Sequence, residues 1–205
     1  MLITIEGIDG AGKSVQAKLL YEALLKQCKS VLLTKEPGGS QFGNKIRNLL
    51  MEEDLDETEK LFLFLADRAF HMRNVVLPYD QAGVIVITDR FHDSTVAYQD
   101  ILHDRIDDIT RDDLRSLACR EWEPDLTVYL ELPVQTAIER CQSRGNNNKL
   151  DVLDAEYLIK VQDRYENSFG RGYCPVLRID AQPSINEVHE NIMKEIMPYI
   201  NGVKK

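Results

Sequence analysis

The residues most able to do chemistry stand near the start of the chain, in the segment Gly7-Ile8-Asp9-Gly10-Ala11-Gly12-Lys13-Ser14. This segment fits the pattern G-x-x-x-x-G-K-[ST] at every fixed position. Glycines let successive backbone N–H groups point inward around anionic oxygens, and the start of a following helix adds partial positive charge. The lysine of the pattern can reach terminal phosphates, and the hydroxyl after it can hold Mg²⁺. The segment therefore predicts a nucleoside-triphosphate site, with Lys13 and Ser14 in those two roles.

A second candidate pair, Asp89-Arg90, follows the apolar run Val84-Ile85-Val86-Ile87 and one threonine. A carboxylate at the end of a buried strand can act on Mg²⁺ or on a metal-bound water. An arginine fork beside it can bind a phosphate through two hydrogen bonds. An ordinary ion pair at a strand end is the alternative, but the phosphate-binding loop favours function. We predict Asp89, with Ser14, as a metal ligand and Arg90 as a phosphate ligand.

An aromatic ring and an arginine share one helix face at Phe64 and Arg68, which lie one helical turn apart. A ring that stacks on a base, beside a fork of hydrogen-bond donors, would suit recognition of a nucleobase. The apolar run Leu61-Phe62-Leu63-Phe64-Leu65 also fits a plain core helix. The spacing leaves both interpretations open.

Polar side chains follow the Asp89-Arg90 pair at Ser94, Thr95, Tyr98 and Gln99. The first and third of them are four residues apart and therefore share a helix face. Groups this close to a ligand-binding strand end could contact a sugar or a base, although the spacing alone does not require it.

A polar segment, Ser143-Arg144-Gly145-Asn146-Asn147-Asn148-Lys149, separates two helical patterns and favours neither helix nor strand. Its composition is typical of a mobile flap, which we place at about 143–153. A cation that closes onto a moving phosphoryl group can be worth ~10³–10⁵ in rate. Arg144 and Lys149 are therefore candidate catalytic cations, with Arg140 beside them. A solvated basic helix end is the alternative.

Helical and strand patterns alternate along the whole chain, which predicts an α/β fold with a largely parallel sheet. Strands are expected at about 2–5, 30–34, 84–88, 126–131 and 176–179. Helices are expected after the phosphate loop and at about 41–53, 58–77, 94–103, 110–121, 134–142, 155–169 and 185–200. Ligands of such sheets bind beyond the carboxyl ends of the strands. These ends are the loop 7–14 and residues 35–37, 89–90, 131–132 and 180–181.

Composition narrows the class of protein. A chain of 205 residues with 43% hydrophobic and 29% charged residues suits one soluble domain, and we expect no interdomain linker. The net charge of −9 argues against a nucleic-acid partner, because such binding needs a broad basic face. Four scattered cysteines predict reduced thiols. With no charged leader and no apolar run near the roughly 18 residues of a membrane span, we expect a cytoplasmic protein without membrane contact.

Several separate motifs, in one order along nearly the whole chain, resemble those of the thymidylate kinase family. They are Ile5-Glu6 with the phosphate loop, Thr34-Lys35-Glu36-Pro37-Gly38-Gly39-Ser40, Leu63-Phe64-Leu65-Ala66-Asp67-Arg68-Ala69, Asp89-Arg90-Phe91 with Ser94-Thr95 and Ala97-Tyr98-Gln99, Pro124-Asp125-Leu126-Thr127, and Ile179-Asp180-Ala181. The resemblance implies a P-loop NTPase fold, with three α/β/α layers, a five-stranded parallel sheet and a mobile LID. It also implies ATP-dependent phosphorylation of dTMP to dTDP, Mg²⁺ as cofactor, and a homodimer.

The resemblance also implies roles around the base and the sugar. Phe64 would stack on thymine, and Arg68 and Thr95 would read its polar edge. Tyr98 would crowd the 2′ position of the sugar and so favour deoxyribose. Ser94 and Gln99 complete the substrate-binding set expected here.

Around the phosphates, the resemblance implies that Arg90 holds the acceptor phosphate and that Asp9 acts near it and the 3′-hydroxyl. Some family members carry an arginine inside the phosphate loop, where this chain has Gly10-Ala11. The chain therefore resembles the class whose LID supplies the catalytic cation, with Arg144 and Lys149 as candidates. Asn148-Lys149-Leu150-Asp151 departs from the usual Asp-Arg-hydrophobic-Glu, so the choice between them stays open.

One alternative is a deoxynucleoside kinase, which would use the same phosphate loop. It would need a base to deprotonate a hydroxyl, and it would accept thymidine itself.

A GTPase switch protein is a second alternative, because 148–151 spell N-K-x-D and 80–83 spell D-x-x-G. A guanine-reading N-K-x-D should follow a buried strand, but here it follows Gly145-Asn146-Asn147. The D-x-x-G precedes the expected third strand when it should end one. Both placements argue against the GTPase.

Overall fold

The computed structural model describes residues 1–27, 29–99, 106–144 and 154–202. Its strands are β1 (Leu2–Glu6), β2 (Val31–Lys35), β3 (Ile85–Asp89), β4 (Leu126–Glu131) and β5 (Val176–Asp180). They form one sheet in the order β2-β3-β1-β4-β5, and every neighbouring pair is parallel. The predicted α/β class and the five parallel strands are confirmed.

Helices connect the strands and cover both faces of the sheet. They are α1 (Lys13–Lys26), α2 (Gln41–Glu52), α3 (Glu57–His71), α4 (Leu77–Gln81), α5 (His92–Tyr98), α6 (Asp108–Cys119), α7 (Val134–Ser143), α8 (Ala155–Phe169) and α9 (Ile185–Ile200). Five of them begin where a polar side chain accepts a hydrogen bond from the backbone N–H three residues later. These capping residues are Ser40, Asp56, Asp107, Asp154 and Ser184.

The helix predicted at 58–77 is not one continuous α-helix. α3 ends at His71, a π-helical turn covers Met72–Val76, and α4 follows. Pro78 lies at the start of α4 and has no N–H to donate to the preceding turn. The wider π-helical turn directly before it, closed by a bond from Leu77 N to Met72 O, accommodates that missing donor.

α5 is shorter than the helix predicted at 94–103. It begins two residues earlier, at His92, and ends at Tyr98, and the backbone of Gln99 is already extended. Residues 100–103 lie outside the described ranges, as do Cys28, Lys149, the N-K-x-D at 148–151 and all but the first two residues of the predicted LID.

The three central strands of the sheet are buried because most of their residues are apolar on both faces. Ile3 and Ile5 face a large cluster that includes side chains of α1, α8 and α9. Leu2 packs in a second cluster with Met72, Val76 and Phe91. This sandwiching leaves the loops at the carboxyl ends of the strands as the place for polar chemistry. None of the helices in the described ranges combines the length and apolar character that a membrane span requires.

Candidate active site

The carboxyl ends of β1, β2 and β3 open into one cavity of about 700 Å³. It brings together most of the predicted site residues from five separate stretches of the chain. Those that line it are Asp9, Gly10, Gly12, Lys13, Ser14, Phe64, Arg68, Asp89, Arg90, Ser94, Thr95, Tyr98, Gln99 and Arg144. The described lining residues do not include the other two strand ends, at 131–132 and 180–181. There Glu131 instead binds Arg178, and Asp180 accepts from the backbone of Gln182.

The phosphate loop is shaped by backbone geometry that glycine provides. Gly10 and Gly12 have φ values of +87° and +92°, in the left-handed region that other residues rarely adopt. Gly7, Ile8 and Ala11 belong to the loop beneath the cavity, where Ile8 is fully buried. α1 begins directly after Gly12, so the N–H groups of its first turn face the loop without acceptors inside the helix. The geometry suits a chain of phosphates.

Lys13 is buried at the centre of this loop. Its Nζ donates to Ile8 O at 2.8 Å and lies 3.8 Å from Asp9 Oδ1. Burial, followed by the positive charge of Arg90, lowers the pKa of Lys13 to about 8, against the opposing attraction of Asp9. A partly desolvated ammonium of this kind interacts strongly with any anion brought into the loop.

Ser14 and Asp89 meet, as the metal-site prediction requires. The Ser14 hydroxyl donates to Asp89 Oδ2, and Asp89 Oδ1 is buried without a hydrogen-bond partner among the described residues. A hydroxyl and a carboxylate are hard oxygen donors, which Mg²⁺ prefers. The donor set and the unpartnered oxygen therefore fit a magnesium site.

Arg90 links three of the predicted substrate residues. Its Nη2 forms an ion pair with Asp9 Oδ1, its Nη1 donates to Ser94 Oγ at 3.0 Å, and its guanidinium lies 5.0 Å from the centre of the Tyr98 ring. The Tyr98 hydroxyl accepts from Asp9 N at 3.0 Å. Burial disfavours the charged form of Arg90, but Asp9 and the other negatively polarised groups around it together outweigh burial and raise the pKa of Arg90 well above its ordinary value. The result is a fixed cation at the edge of the phosphate loop.

Arg68 is a second cation held in a fixed position, on one side of the cavity. Its Nε donates to Glu36 Oε2 at 2.8 Å, its Nη1 to Thr95 Oγ1 at 2.9 Å, and its Nη2 to Phe91 O at 3.0 Å. Phe64 lies one turn earlier on α3 and is half-buried in the same cavity wall. The helical spacing left open whether Phe64 and Arg68 belong to a core helix or to a binding site. The structure places both side chains in the wall of one cavity.

Gln99 and Tyr98 stand where α5 ends. Gln99 is buried, and its Oε1 has no hydrogen-bond partner among the described residues. The backbone carbonyl of Tyr98 accepts from the Tyr157 hydroxyl at 2.5 Å, so α8 holds the end of α5 in place. Nothing in the sequence pattern pointed to Tyr157, since it is one tyrosine among eight.

Of the three cations in and around the predicted flap, the structure describes Arg140 and Arg144, and these two have different surroundings. Arg140 donates to Ala181 O at 2.9 Å and Gln182 O at 3.1 Å, so it joins α7 to the loop before α9. Arg144 is exposed, contacts Cys141 Sγ and reaches the cavity. Lys149 lies outside the described residues.

Glu6 and Tyr165 are site residues to which sequence reasoning assigned no role. Glu6 is fully buried, and its carboxylate accepts hydrogen bonds from Phe91 N, Ser94 Oγ and the Tyr165 hydroxyl. Burial and the negative charge of Asp93 raise the pKa of Glu6 to about 7. A charged residue that ends an apolar strand was the available signal for Glu6. Tyr165 was indistinguishable from an apolar core position of α8.

A buried histidine supports α5 from below. His92 lies between two carboxylates, with Nδ1 3.3 Å from Asp93 Oδ1 and Nε2 3.4 Å from Glu123 Oε2. Burial alone would lower the pKa of His92, but Asp93 and Glu123 raise it to about 9 from the ordinary 6.5. The imidazolium therefore joins the helix to the segment before β4.

This histidine makes stability depend on pH. Because its folded pKa is raised, its contribution is complete below pH 6.5 and is lost as pH rises through about 9. We expect the free energy of unfolding to fall by about 3 kcal/mol more in the natural chain than in His92→Gln over that interval. Urea unfolding of both proteins at pH 6.5 and pH 9.5 measures the difference. Equal pH dependence of the two would contradict the charged ion pair.

The fold and the site define a P-loop nucleotide-binding enzyme. A parallel α/β sheet carries a phosphate loop, a candidate metal pair and a second basic pocket within one cavity. The family model described as thymidylate kinase matches residues 5–192. The chain is 37% identical over 198 residues to the thymidylate kinase of Rickettsia rickettsii, covering 95% of this chain and 96% of that protein.

Two further relatives also carry the name thymidylate kinase. A probable thymidylate kinase of Pyrococcus abyssi is 37% identical over 207 residues, with 98% of each chain covered. The thymidylate kinase of Trichodesmium erythraeum is 32% identical over 213 residues, with 95% of this chain and 94% of that protein covered. The chain belongs to the thymidylate kinase family.

Proposed function

We propose that this protein transfers the terminal phosphoryl group of ATP to dTMP, giving ADP and dTDP. The observation that carries the proposal is the shared cavity, in which Lys13 of the phosphate loop and Arg90 both contact the carboxylate of Asp9. Donor and acceptor phosphates bound to these two groups would meet at that carboxylate. Family membership supplies the identity of the acceptor as thymidylate.

The chemistry needs positioning and charge more than it needs a base. The acceptor is already a phosphate anion near neutral pH, so no hydroxyl has to be deprotonated. Lys13 would hold the terminal phosphates of ATP, and Arg90 would hold the phosphate of dTMP, bringing them into line. We assign Arg144, which reaches the cavity from α7, to the charge that develops on the phosphoryl group. Lys149 is the other candidate for this role.

Ser14 and Asp89 would hold Mg²⁺ beside the phosphate loop. The metal, when bound, supplies positive charge to the phosphates of ATP. Closure of a LID at about 143–153 would exclude water and limit wasteful hydrolysis of ATP.

The other wall of the cavity would recognise thymidine. Phe64 would stack on the base, while Arg68, Thr95 and Gln99 would face its polar edge. The Tyr98 hydroxyl accepts a hydrogen bond from Asp9 N, which fixes the Tyr98 ring in the cavity. The fixed ring would lie against the sugar and disfavour a 2′-hydroxyl. The Ser94 hydroxyl accepts a hydrogen bond from Arg90 Nη1 and so helps to orient the arginine.

A series of acceptors tests the function. ADP release from ATP and Mg²⁺ is measured with dTMP, dUMP, UMP, dAMP, thymidine or no acceptor. We expect the fastest turnover with dTMP and little turnover without acceptor. Turnover with thymidine but not with dTMP would overturn the proposal in favour of a deoxynucleoside kinase. Release that needs no acceptor would overturn it in favour of an ATPase or GTPase.

The structure gives the GTPase alternative no support. Asp80 of the D-x-x-G pattern lies in α4 and binds the backbone nitrogen of Met1, ahead of β3. An acid in that position is at the amino end of the strand, away from the cavity. The second pattern, N-K-x-D, falls outside the described residues.

We also propose a homodimer formed through α3. Phe62 of α3 is 60% exposed, and Ile109 and Leu117 of the neighbouring α6 are 76% and 77% exposed. Exposed apolar surface of this kind is typical of an interface. α5 offers no such surface, because residues 92–97 are buried within the chain. We place the dimer in the cytoplasm and give it no nucleic-acid partner, in keeping with its net charge of −9.

The replacement Phe62→Asp tests the dimer. It places a charge at the proposed interface and should shift sedimentation at micromolar concentration from dimer to monomer. Tyr79→Asp, at a 46% exposed site on α4, is the matched control and should leave the dimer intact. A dimer that survives Phe62→Asp would refute this interface.

A further inference from the structure

Two buried carboxylates, Glu6 and Glu36, lie directly behind the two arginines of the cavity. Glu6 ends β1 and Glu36 follows β2, and both side chains are almost completely hidden from solvent. Neither has a part in the phosphoryl transfer proposed above. A buried charge costs stability unless it is paired, so each needs an explanation.

Glu6 reaches Arg90 through a hydroxyl. Glu6 Oε2 accepts from Ser94 Oγ at 2.6 Å, and the same Ser94 oxygen accepts from Arg90 Nη1 at 3.0 Å. Tyr165 donates to Glu6 Oε2 at 3.0 Å and so fixes the carboxylate from the other side. The Glu6 carboxylate therefore accepts the Ser94 hydroxyl proton. The lone pairs of Ser94 Oγ are then available to accept a hydrogen bond from Arg90.

Glu6 also reaches Arg90 through the backbone. Arg90 has a φ of +72°, a conformation that costs a residue with a side chain roughly 1–2 kcal/mol. Strain of this kind persists only where the surroundings enforce it. The next residue, Phe91, donates its N–H to Glu6 Oε1 at 2.7 Å, while Thr88 Oγ1 donates to Arg90 O at 2.9 Å. These bonds hold the turn that aims the Arg90 side chain at Asp9.

Glu36 orients Arg68 in a corresponding way. Its Oε2 accepts from Arg68 Nε at 2.8 Å, and its Oε1 lies 2.8 Å from His71 Nδ1. The other ring nitrogen of His71 lies 2.7 Å from Thr34 Oγ1. Both carboxylate oxygens are thus fixed, which orients the guanidinium plane of Arg68 toward Thr95 and the cavity.

We propose that Glu6 and Glu36 are positioning residues that divide the acceptor site between them, Glu6 orienting Arg90 for the acceptor phosphate and Glu36 orienting Arg68 for the base. The inference rests on the proposed function, because it takes dTMP as the acceptor. Glu6 is linked to Arg90 through Ser94, whereas Glu36 binds Arg68 directly, so we expect binding of the phosphate and binding of the base to be weakened separately. The backbone of Phe91 contacts both Glu6 and Arg68, and the thymidine titration therefore tests this separation.

Binding of dTMP and thymidine to the full chain, measured by calorimetric titration, separates the two roles, since thymidine lacks the phosphate. The variants are Glu6→Gln and Glu36→Gln, which keep the side-chain shape and remove the charge. We expect Glu6→Gln to weaken dTMP binding about tenfold and leave thymidine binding unchanged. We expect Glu36→Gln to weaken both ligands by the same factor, about tenfold.

A double-variant cycle shows whether Glu6 acts through Arg90. If it does, Glu6→Gln weakens dTMP binding no further once Arg90→Ala is present. For Glu6, a merely structural role would instead lower the melting temperature and weaken dTMP and thymidine alike. For Glu36, the corresponding cycle with Arg68→Ala decides, because a merely structural role would weaken both ligands further beside Arg68→Ala and a positioning role would not. Should Glu6→Gln fail to fold, Ser94→Ala removes the hydroxyl between the carboxylate and the arginine, and it carries the same expected selective loss.

Four results would overturn the proposal: equal weakening of both ligands by Glu6→Gln, weakening of dTMP alone by Glu36→Gln, an undiminished Glu6 effect beside Arg90→Ala, or an undiminished Glu36 effect beside Arg68→Ala. Failure of the proposed function looks different. In that case the unmodified chain itself would show no turnover with dTMP in the acceptor series, whatever the variants do to binding.

Discussion

Replacing Lys13 by alanine should lower kcat roughly 10²- to 10³-fold, the loss typical when one preorganised charge or donor is removed from a transition state. The Lys13 ammonium is buried between Ile8 O and Asp9, where little solvent competes for it. No other lysine lies in the phosphate loop to replace it. The chain should stay folded, because alanine is favourable in the first turn of α1 and Asp9 keeps its ion pair with Arg90. Steady-state turnover with saturating ATP and dTMP measures the effect.

Lys18→Ala is the matched control for this experiment. Lys18 is on the same helix, its side chain is 71% exposed, and its Nζ lies 3.9 Å from Glu22 in an ordinary surface pair. Its removal should change kcat by less than about twofold. A Lys13→Ala protein that turned over as fast as Lys18→Ala would remove the phosphate loop lysine from the mechanism.

The parts of the site that were predictable are those whose geometry is local. The phosphate loop encodes its own shape within eight residues, and the end of a buried strand fixes where Asp89 and Arg90 must emerge. The strands were found within about a residue, since continuous apolar runs bounded by turns leave little choice.

The parts that were not predictable depend on contacts between distant residues. Glu6 forms hydrogen bonds with Phe91, 85 residues away in the sequence, and with Tyr165, 159 residues away. No local sequence pattern at either partner predicts the contact. Phe64 and Arg68 had a spacing that fits a core helix equally well until β2 and α5 supplied Glu36 and Thr95. The π-helical turn before Pro78 was missed because helical periodicity continues through it.

The packing of the phosphate loop bears on where a catalytic cation could lie. A Cβ at Gly10 would lie 2.4 Å from Ala137 O and 2.9 Å from Ala137 Cα, both backbone atoms of α7. Gly10, one of the two positions at which the resemblance would place a loop arginine, therefore has no room for a side chain here. The same helix that closes this space ends next to Arg144, which reaches the cavity from the other side. Packing of α7 on the loop is thus consistent with the role proposed for Arg144.

Gly10→Ala should accordingly destabilise the chain by about 2–5 kcal/mol, from a left-handed backbone and an overpacked contact together. The folded fraction should also lose ATP-dependent turnover, because α7 must move away from the loop. Gly83→Ala is the matched control. Gly83 has a φ of +76°, but no described heavy atom lies within 4 Å of the place a Cβ would take, so only the backbone cost of about 1–2 kcal/mol applies. Urea unfolding of both variants isolates the steric part as their difference. Equal stability of the two would show that α7 yields easily, and an arginine at position 10 would then become a feasible replacement for the cation of the LID.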